Sequence, residues 1–508
     1  MATETQPTAS PEMPAPLPII AALLAALRER EVRYCHWKST PSIGVALAGR
    51  TDLDLLVDRR HAGAFGVTIR EIGFKPFISN EARRYPGVED HIGHDEASGR
   101  LVHLHVYYQL VLGEEYVKNH RLPLEAAFLD GARERHGIMV PAPALELTVL
   151  GLRVLLKYRD ADVLKDVLGL GRRGGIPPDA RGELAALRAE ATDAELRATV
   201  EAHLPSVDPN LVPDLLAQVA RNPRDGLAIR RLRARARSGL RPYERIPRHR
   251  AALQYARARL SRQWPISVVL HSRTRSDLRR KTPLGGGVTI AVVGADGAGK
   301  STVIAALRDW LAWRVNFRVY YLGSAQPSRR AGALRVASRV IRGVTRRAGD
   351  HGPLRAAANL ATAARYVADA QDRADRARAG RSLASRGAVV VFDRFPLPDV
   401  RVGDRLMDGP RIPTIDGWDA SPAIRALADR ERAIYAAIPP PDRILWLAIT
   451  PDVALSRKPN RAPETVVAKA RALEQADLGR IAPVTRIDAV RPLEEVLEAV
   501  KAGLWDLL

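Results

Sequence analysis

The sequence predicts an α/β protein of three parts: a small α/β domain, a helical Arg-rich connector, and a C-terminal domain built on a parallel sheet. Three observations predict this. Val288-Thr289-Ile290-Ala291-Val292-Val293 is an apolar, β-branched run that leads through a glycine-rich turn into a helical pattern. Val389-Val390-Val391-Phe392 is a second buried-strand run, and it ends in Asp393. Short strand-like and helical segments alternate before about Pro141, and a mainly helical pattern follows from Ala144.

A chain of 508 residues exceeds one ordinary core, at roughly 150 residues per domain. Residues 1–16 are rich in Pro, Thr and Ala, lack the basic start of a signal peptide, and read as a disordered tail. Residues 17–143 form the first domain, 144–284 the connector and 285–508 the last domain. Gly285-Gly286-Gly287 is the joint before it. The best apolar run, Leu17 to Leu27, falls well short of the roughly twenty residues that span a bilayer. Cys35 is the single cysteine, so neither an intrachain disulfide nor a thiolate zinc site is expected, which fits a cytoplasmic protein.

The formal net charge is +22. From Arg221 to Lys281 nineteen basic residues face three acidic ones, so this stretch is where nucleic acid or an anionic membrane surface would bind. Tyr243, Tyr255 and Trp264 are widely spaced, without the aromatic density that stacks bases, and solvated helix faces are the favoured reading.

In the first domain, Arg50-Thr51-Asp52-Leu53-Asp54-Leu55-Leu56-Val57 alternates as a strand does, which puts Asp52 and Asp54 on one face as a candidate metal pair. Lys38-Ser39 lies upstream, and Leu101-Val102-His103-Leu104-His105-Val106 places two histidines on one face of a later strand. With these residues the region resembles the minimal nucleotidyltransferases, which implies nucleotidyl transfer at Asp52 and Asp54. The third carboxylate of that superfamily has no evident match.

In the last domain, Gly294-Ala295-Asp296-Gly297-Ala298-Gly299-Lys300-Ser301-Thr302 follows a strand and opens a helix, the context that a phosphate-binding P-loop requires. The backbone of Gly294, Gly297, Ala298, Gly299 and Thr302 would surround phosphates, Lys300 would neutralise them, and Ser301 would hold Mg2+. No Asn-Lys-x-Asp guanine motif is found, so ATP is the expected nucleotide. Asp393, at the C-terminal edge of its strand, would join the Mg2+ site, with Arg394 beside it.

These segments resemble the thymidylate kinases across about 220 residues. The phosphate loop matches from Gly294 to Thr302, and Asp393-Arg394-Phe395 matches that family's Asp-Arg-Tyr. Arg373 stands where the family has an arginine near the acceptor base. Pro451 to Arg457 matches the helix leading to its lid, with Arg457, Lys458 and Arg461 as lid cations, and Ile487-Asp488-Ala489 matches its final strand. The resemblance implies a P-loop NTPase-type kinase that moves the γ-phosphoryl group of ATP to a small phosphorylated acceptor. Asp296 would orient that acceptor, and Arg373 and Arg394 would bind it. Two departures concern the acceptor: Tyr320 to Gln326 replaces the family's Arg-Glu-Pro-Gly-Gly-Thr segment, and Asp369 stands where its stacking aromatic does.

Overall fold

The structure is a computed structural model. It describes residues 15–159, 162–163, 175–263, 279–348, 352–397, 400–402, 405–458, 460 and 462–508. Most of the expected N-terminal tail, part of the basic stretch and Arg461 lie outside the described residues. The chain forms two compact units, Met1–Ser276 and Asp277–Leu508.

The first unit carries a sheet of β1 (Tyr34–His36), β2 (Leu53–Val57), β3 (Lys75–Ile78), β4 (Val88–Asp95) and β5 (Arg100–Tyr107), in the order β1-β2-β5-β4-β3. The pair β2/β5 is parallel, and β1/β2, β4/β5 and β3/β4 are antiparallel. Helix α1 (Pro18–Glu29) buries Ile19, Ile20, Leu23, Leu24 and Leu27, a stripe at helical spacing, and these side chains share a core with Leu53, Leu55, Phe65 and Val102.

The connector is not a separate body. Helices α2 (Pro143–Lys157), α3 (Pro178–Arg188), α4 (Asp193–His203), α5 (Leu211–Arg221), α6 (Gly226–Gly239) and α7 (Arg248–Gln263) follow the strands. Leu152, Leu155 and Leu156 of α2 and Ile229 and Leu232 of α6 bury with Cys35, Trp37, Leu56 and Tyr107 in one core. Leu147 and Leu150 of α2 bury against Leu184, Leu187, Leu196 and Val212, so this helix packs on both the strands and the later helices, and the boundary expected near residue 143 falls inside one compact unit.

The second unit holds a five-stranded, wholly parallel sheet: β6 (Val288–Gly294), β7 (Phe317–Tyr321), β8 (Val389–Asp393), β9 (Arg443–Ala448) and β10 (Val484–Asp488), in the order β7-β8-β6-β9-β10. Helix α8 (Lys300–Leu311) follows β6 and buries Val303, Ile304, Leu307, Trp310 and Leu311. The long helix α10 (Gly352–Ala384), preceded by α9 (Arg329–Ala348), lies so close to β8 that a Cβ at Gly380 would meet a Phe392 ring carbon at 2.5 Å. Helices α11 (Pro422–Ala436), α12 (Pro451–Arg457), α13 (Pro463–Glu474) and α14 (Leu493–Trp505) complete the unit. The chain turns away from β6 in both directions, so the C-terminal ends of β6 and β8 border a crevice where ligands of such sheets bind.

Candidate active site

Strand β6 stops at Gly294, and residues 295–299 curl back before α8 begins at Lys300. Gly297 and Gly299 have φ of +92° and +85°, backbone that side-chain-bearing residues rarely adopt, and this lets the loop turn sharply between β6 and α8. The Ala298 amide donates to the Ala295 carbonyl at 3.2 Å, and the positive end of the α8 dipole lies at the loop. Lys300 Nζ donates to the carbonyl oxygens of Gly294 and Ala295 at 2.8 and 2.9 Å, which folds its ammonium over the loop. Burial pulls the Lys300 ammonium below the usual lysine range, while Asp296 draws it back up.

In the register of the sheet Asp393 stands beside Val292, just before the loop. Burial pushes its carboxyl above the ordinary aspartate range, against the pull of Arg394 and Lys300. Arg394 sits at φ +59°, left-handed backbone that a residue with a side chain adopts at a cost, and the turn aims its guanidinium toward Tyr321, with Cζ 6.0 Å from the ring centre. Asp296 accepts from Lys469 Nζ at 2.8 Å. Burial alone would raise this carboxyl, but Lys469 holds it below the usual range.

Two cavities meet at these groups. The first, about 480 Å³, is lined by the loop from Asp296 to Thr302, by Asp393 and Arg394, and by Arg457, Lys458 and Arg491. The second, about 490 Å³, is lined by Arg394, Phe395, Met407, Asp408, Arg411, Glu464 and Lys469. Asp296, Lys300 and Arg394 line both. Of the expected site residues, the structure therefore gathers Asp296, Lys300, Ser301, Thr302, Asp393, Arg394 and Arg457 with the loop glycines. Arg457 also donates to the Ala489 carbonyl at 2.9 Å.

Arg373 does not line either cavity. It is 2% exposed on α10, donates to the Tyr435 hydroxyl at 2.5 Å and to the Asp408 carbonyl, and lies beneath the segment that walls the second cavity. The expectation that Arg373 touches an acceptor is corrected to a supporting position, because the side chain is buried and donates to Tyr435 and Asp408. Asp369, at the position expected for an aromatic, is an ion-pair partner of Arg335 at 2.8 Å. Lys469, Arg411 and Arg491 were not legible as site residues: each is a single basic residue on a helix or loop, and only the fold brings it to the crevice.

Ser301 and Asp393 both line the first cavity and offer oxygen donors, the set that Mg2+ prefers. Among the described residues no group of three or more His, Cys, Asp or Glu side chains is arranged to hold a metal ion.

The first unit has a polar cluster of its own. Asp54 contacts Lys38 Nζ at 2.7 Å and His105 Nδ1 at 3.1 Å. Asp52 lies 2.9 Å from His103 Nδ1, and His103 Nε2 contacts Asp90 at 2.9 Å. Burial would raise the Asp54 carboxyl, but Lys38 and His105 hold it well below the usual carboxylate range, and burial pushes His105 down to about 4. A further carboxylate, Asp90 of β4, joins this cluster, and the strand register sets it opposite His105. The two carboxylates expected as a metal pair each have a basic neighbour: Asp52 contacts His103, and Asp54 contacts Lys38 and His105.

No protein-family model matches the chain. An uncharacterized ATP-binding protein of Escherichia coli strain K12, YghS, is 28% identical over 219 residues, which cover 41% of this chain and 89% of that protein. Two structures of deoxyadenosine kinase from M. mycoides, one with bound dATP and one with the products dCMP and a flexible dCDP, are similar at 13% and 14% identity. They cover 43% and 42% of this chain and 98% of their own, with TM-scores of 0.25 and 0.26.

Proposed function

We propose that the Asp277–Leu508 unit transfers the γ-phosphoryl group of ATP to a small molecule that already carries a phosphate, such as a nucleoside monophosphate. The observation that carries this reading is the pair of cavities sharing Asp296, Lys300 and Arg394. A donor in one and an acceptor in the other would meet at the two cations, where charge develops during transfer. Similarity to a protein described as ATP-binding supports the choice of donor.

Lys300 leaves the Gly294 and Ala295 carbonyls for the β- and γ-phosphates. Arg394, Arg457 and Lys458 neutralise the transferring group, and Arg461 would join them from the segment after α12. Arg411 and Lys469 receive the acceptor phosphate, and Asp296 orients it. An oxygen of that phosphate attacks the γ-phosphorus, the bond from the γ-phosphorus to the bridging oxygen breaks, and ADP leaves. A phosphate nucleophile is already an anion at neutral pH, so no general base is required. Ser301 and Asp393 would hold Mg2+, which supplies further charge neutralisation when bound.

Thymidylate is expected to be a mediocre acceptor, since Asp369 is committed to Arg335 where stacking would be needed. A screen of nucleoside and sugar monophosphates for acceptor-dependent ADP release tests the proposal. Turnover indifferent to every acceptor would overturn it.

A second reading gives the first unit nucleotidyl transfer at Asp52, Asp54 and Asp90. Asp90 joining the cluster favours it, and metal-dependent pyrophosphate release from nucleoside triphosphates tests it.

A further inference from the structure

In the first unit a second set of cations gathers around two touching rings. Trp37 and Tyr107 are buried edge to face, with ring centres 4.9 Å apart. Lys38 Nζ lies 5.1 Å from the Trp37 ring centre and 5.3 Å from that of Tyr107. Lys118 Nζ lies 5.4 Å from the Tyr107 ring centre and 4.2 Å from that of Tyr85, and Arg153 Cζ lies 5.7 Å from that of Trp37. Lys157 stands one turn beyond Arg153 on α2, at the i, i+4 spacing that puts two side chains on one face. Three segments far apart in the chain, after β1, before residue 120 and on α2, thus bring four cations together.

Lys38 is committed to Asp54 at 2.7 Å. Among the described residues Lys118, Arg153 and Lys157 have no carboxylate at ion-pair distance, and rings hold the first two instead. A ring face holds a cation without neutralising it, so the N–H donors stay available. Burial, with Lys38, Lys157 and Arg153 nearby, pulls the Lys118 ammonium down to about 7 against the pull of Asp54. Burial, with Arg153 and Lys38 nearby, pulls Lys157 down to about 8 against the weaker pull of Glu183 and Glu115. For both lysines the neighbouring cations outweigh the carboxylates. Like charges at i and i+4 of a helix are themselves unfavourable, and Lys118 sits at φ +41°, left-handed backbone that a residue with a side chain adopts at a cost. Lys157 is exposed and Lys118 and Arg153 are half-buried, so a ligand can reach them.

We propose that these cations bind a small molecule through a chain of two or more phosphate groups, whose oxygens lie among Lys118, Arg153 and Lys157, with Lys38 beside them. Ammonium and guanidinium donors meet phosphoryl oxygens in charge-assisted hydrogen bonds, and the bound anion offsets the repulsion among the cations. The cations spread over two rings and a helix turn, wider than a single phosphate group, which selects a chain of them. The site belongs to a different compact unit from the phosphate loop and does not rest on nucleotidyl transfer at Asp52 and Asp54.

Calorimetric titration of the full chain with inorganic tripolyphosphate, and separately with ATP, tests this. Two classes of tripolyphosphate site are expected. Lys300→Ala should weaken one, and Lys157→Gln or Lys118→Met should weaken the other about tenfold while leaving the first unchanged. Lys157 is exposed, so K157Q should keep the thermal transition, and it carries the test if K118M unfolds. At the second class, ATP binding more tightly than tripolyphosphate assigns a nucleotide, and ATP binding no more tightly assigns the phosphate chain alone; either result supports the site. A single class of site, lost in Lys300→Ala, overturns the proposal. So does a second class whose affinity is the same in the parent chain, K157Q and K118M.

Discussion

Lys469 on α13 donates to Asp296 of the phosphate loop at 2.8 Å, a contact between residues 173 apart in the chain. It ties α13 to the phosphate loop, and both side chains line the second cavity. Lys469→Met should lower kcat/KM for the acceptor about tenfold to hundredfold, since one charge-assisted contact is lost. ATP affinity should change little. Steady-state kinetics with both substrates varied checks this, and an equal loss for ATP would place Lys469 on the donor side.

Lys300→Ala should reduce turnover about a hundredfold or more, the scale for removing a group that stabilises transition-state charge. The thermal transition should hold, because among the described residues the hydrogen bonds of Lys300 Nζ go to the Gly294 and Ala295 carbonyls beside the cavity. Turnover close to that of the parent chain would remove the phosphate loop from catalysis.

Arg373 and Arg411 separate support from contact. Arg373→Ala leaves Tyr435 and Asp408 without their buried partner and should cost about 3 kcal/mol of stability. Arg411 lines the second cavity, and Arg411→Ala should raise the acceptor KM with little change in the melting transition. Denaturant unfolding of both variants alongside acceptor kinetics distinguishes the roles.

The Asp52→Asn, Asp54→Asn double variant should leave ADP release within about twofold of the parent, since these carboxylates and the phosphate loop belong to different compact units. Any pyrophosphate release from nucleoside triphosphates should disappear. ADP release lost in this variant would mean that both clusters serve one reaction.

Glu146 predicts a pH dependence. It is 2% exposed, accepts from the Thr40 amide at 2.8 Å, and burial raises its pKa from 4.5 to about 7. Between those values the folded state holds a proton that the unfolded state has lost, so stability falls as pH rises through the window. Glu146→Gln keeps an oxygen for Thr40 and removes the ionisation. It should stabilise the first unit by roughly 1–3 kcal/mol at pH 8 and by little at pH 4. Urea unfolding at the two pH values checks this, and equal effects at both would sink it.

The phosphate loop was legible in the sequence because its chemistry is local. Gly294 to Thr302 need only a preceding strand and a following helix, and the apolar runs on either side declare both. Asp393 and Arg394 were legible for the same reason, as the polar end of an otherwise apolar strand. In the first unit the alternation from Asp52 to Val57 placed two carboxylates on one face. What lay beyond reach was every relationship between distant segments. Asp90 joins the Asp52 and Asp54 cluster only through the pairing of β4 with β5, Lys469 reaches Asp296 only because α13 packs at the loop, and Arg373 is withdrawn from the crevice by Tyr435 on another helix. A basic or acidic residue looks the same in the sequence whether it faces water, a cavity or a buried partner. Its environment is set by which apolar faces bury against one another, and that is a property of the whole folded unit. The Arg-rich stretch is the plainest case: its charge was evident from composition, while the ion pair of Arg237 with Glu114, 123 residues upstream, was set by the fold.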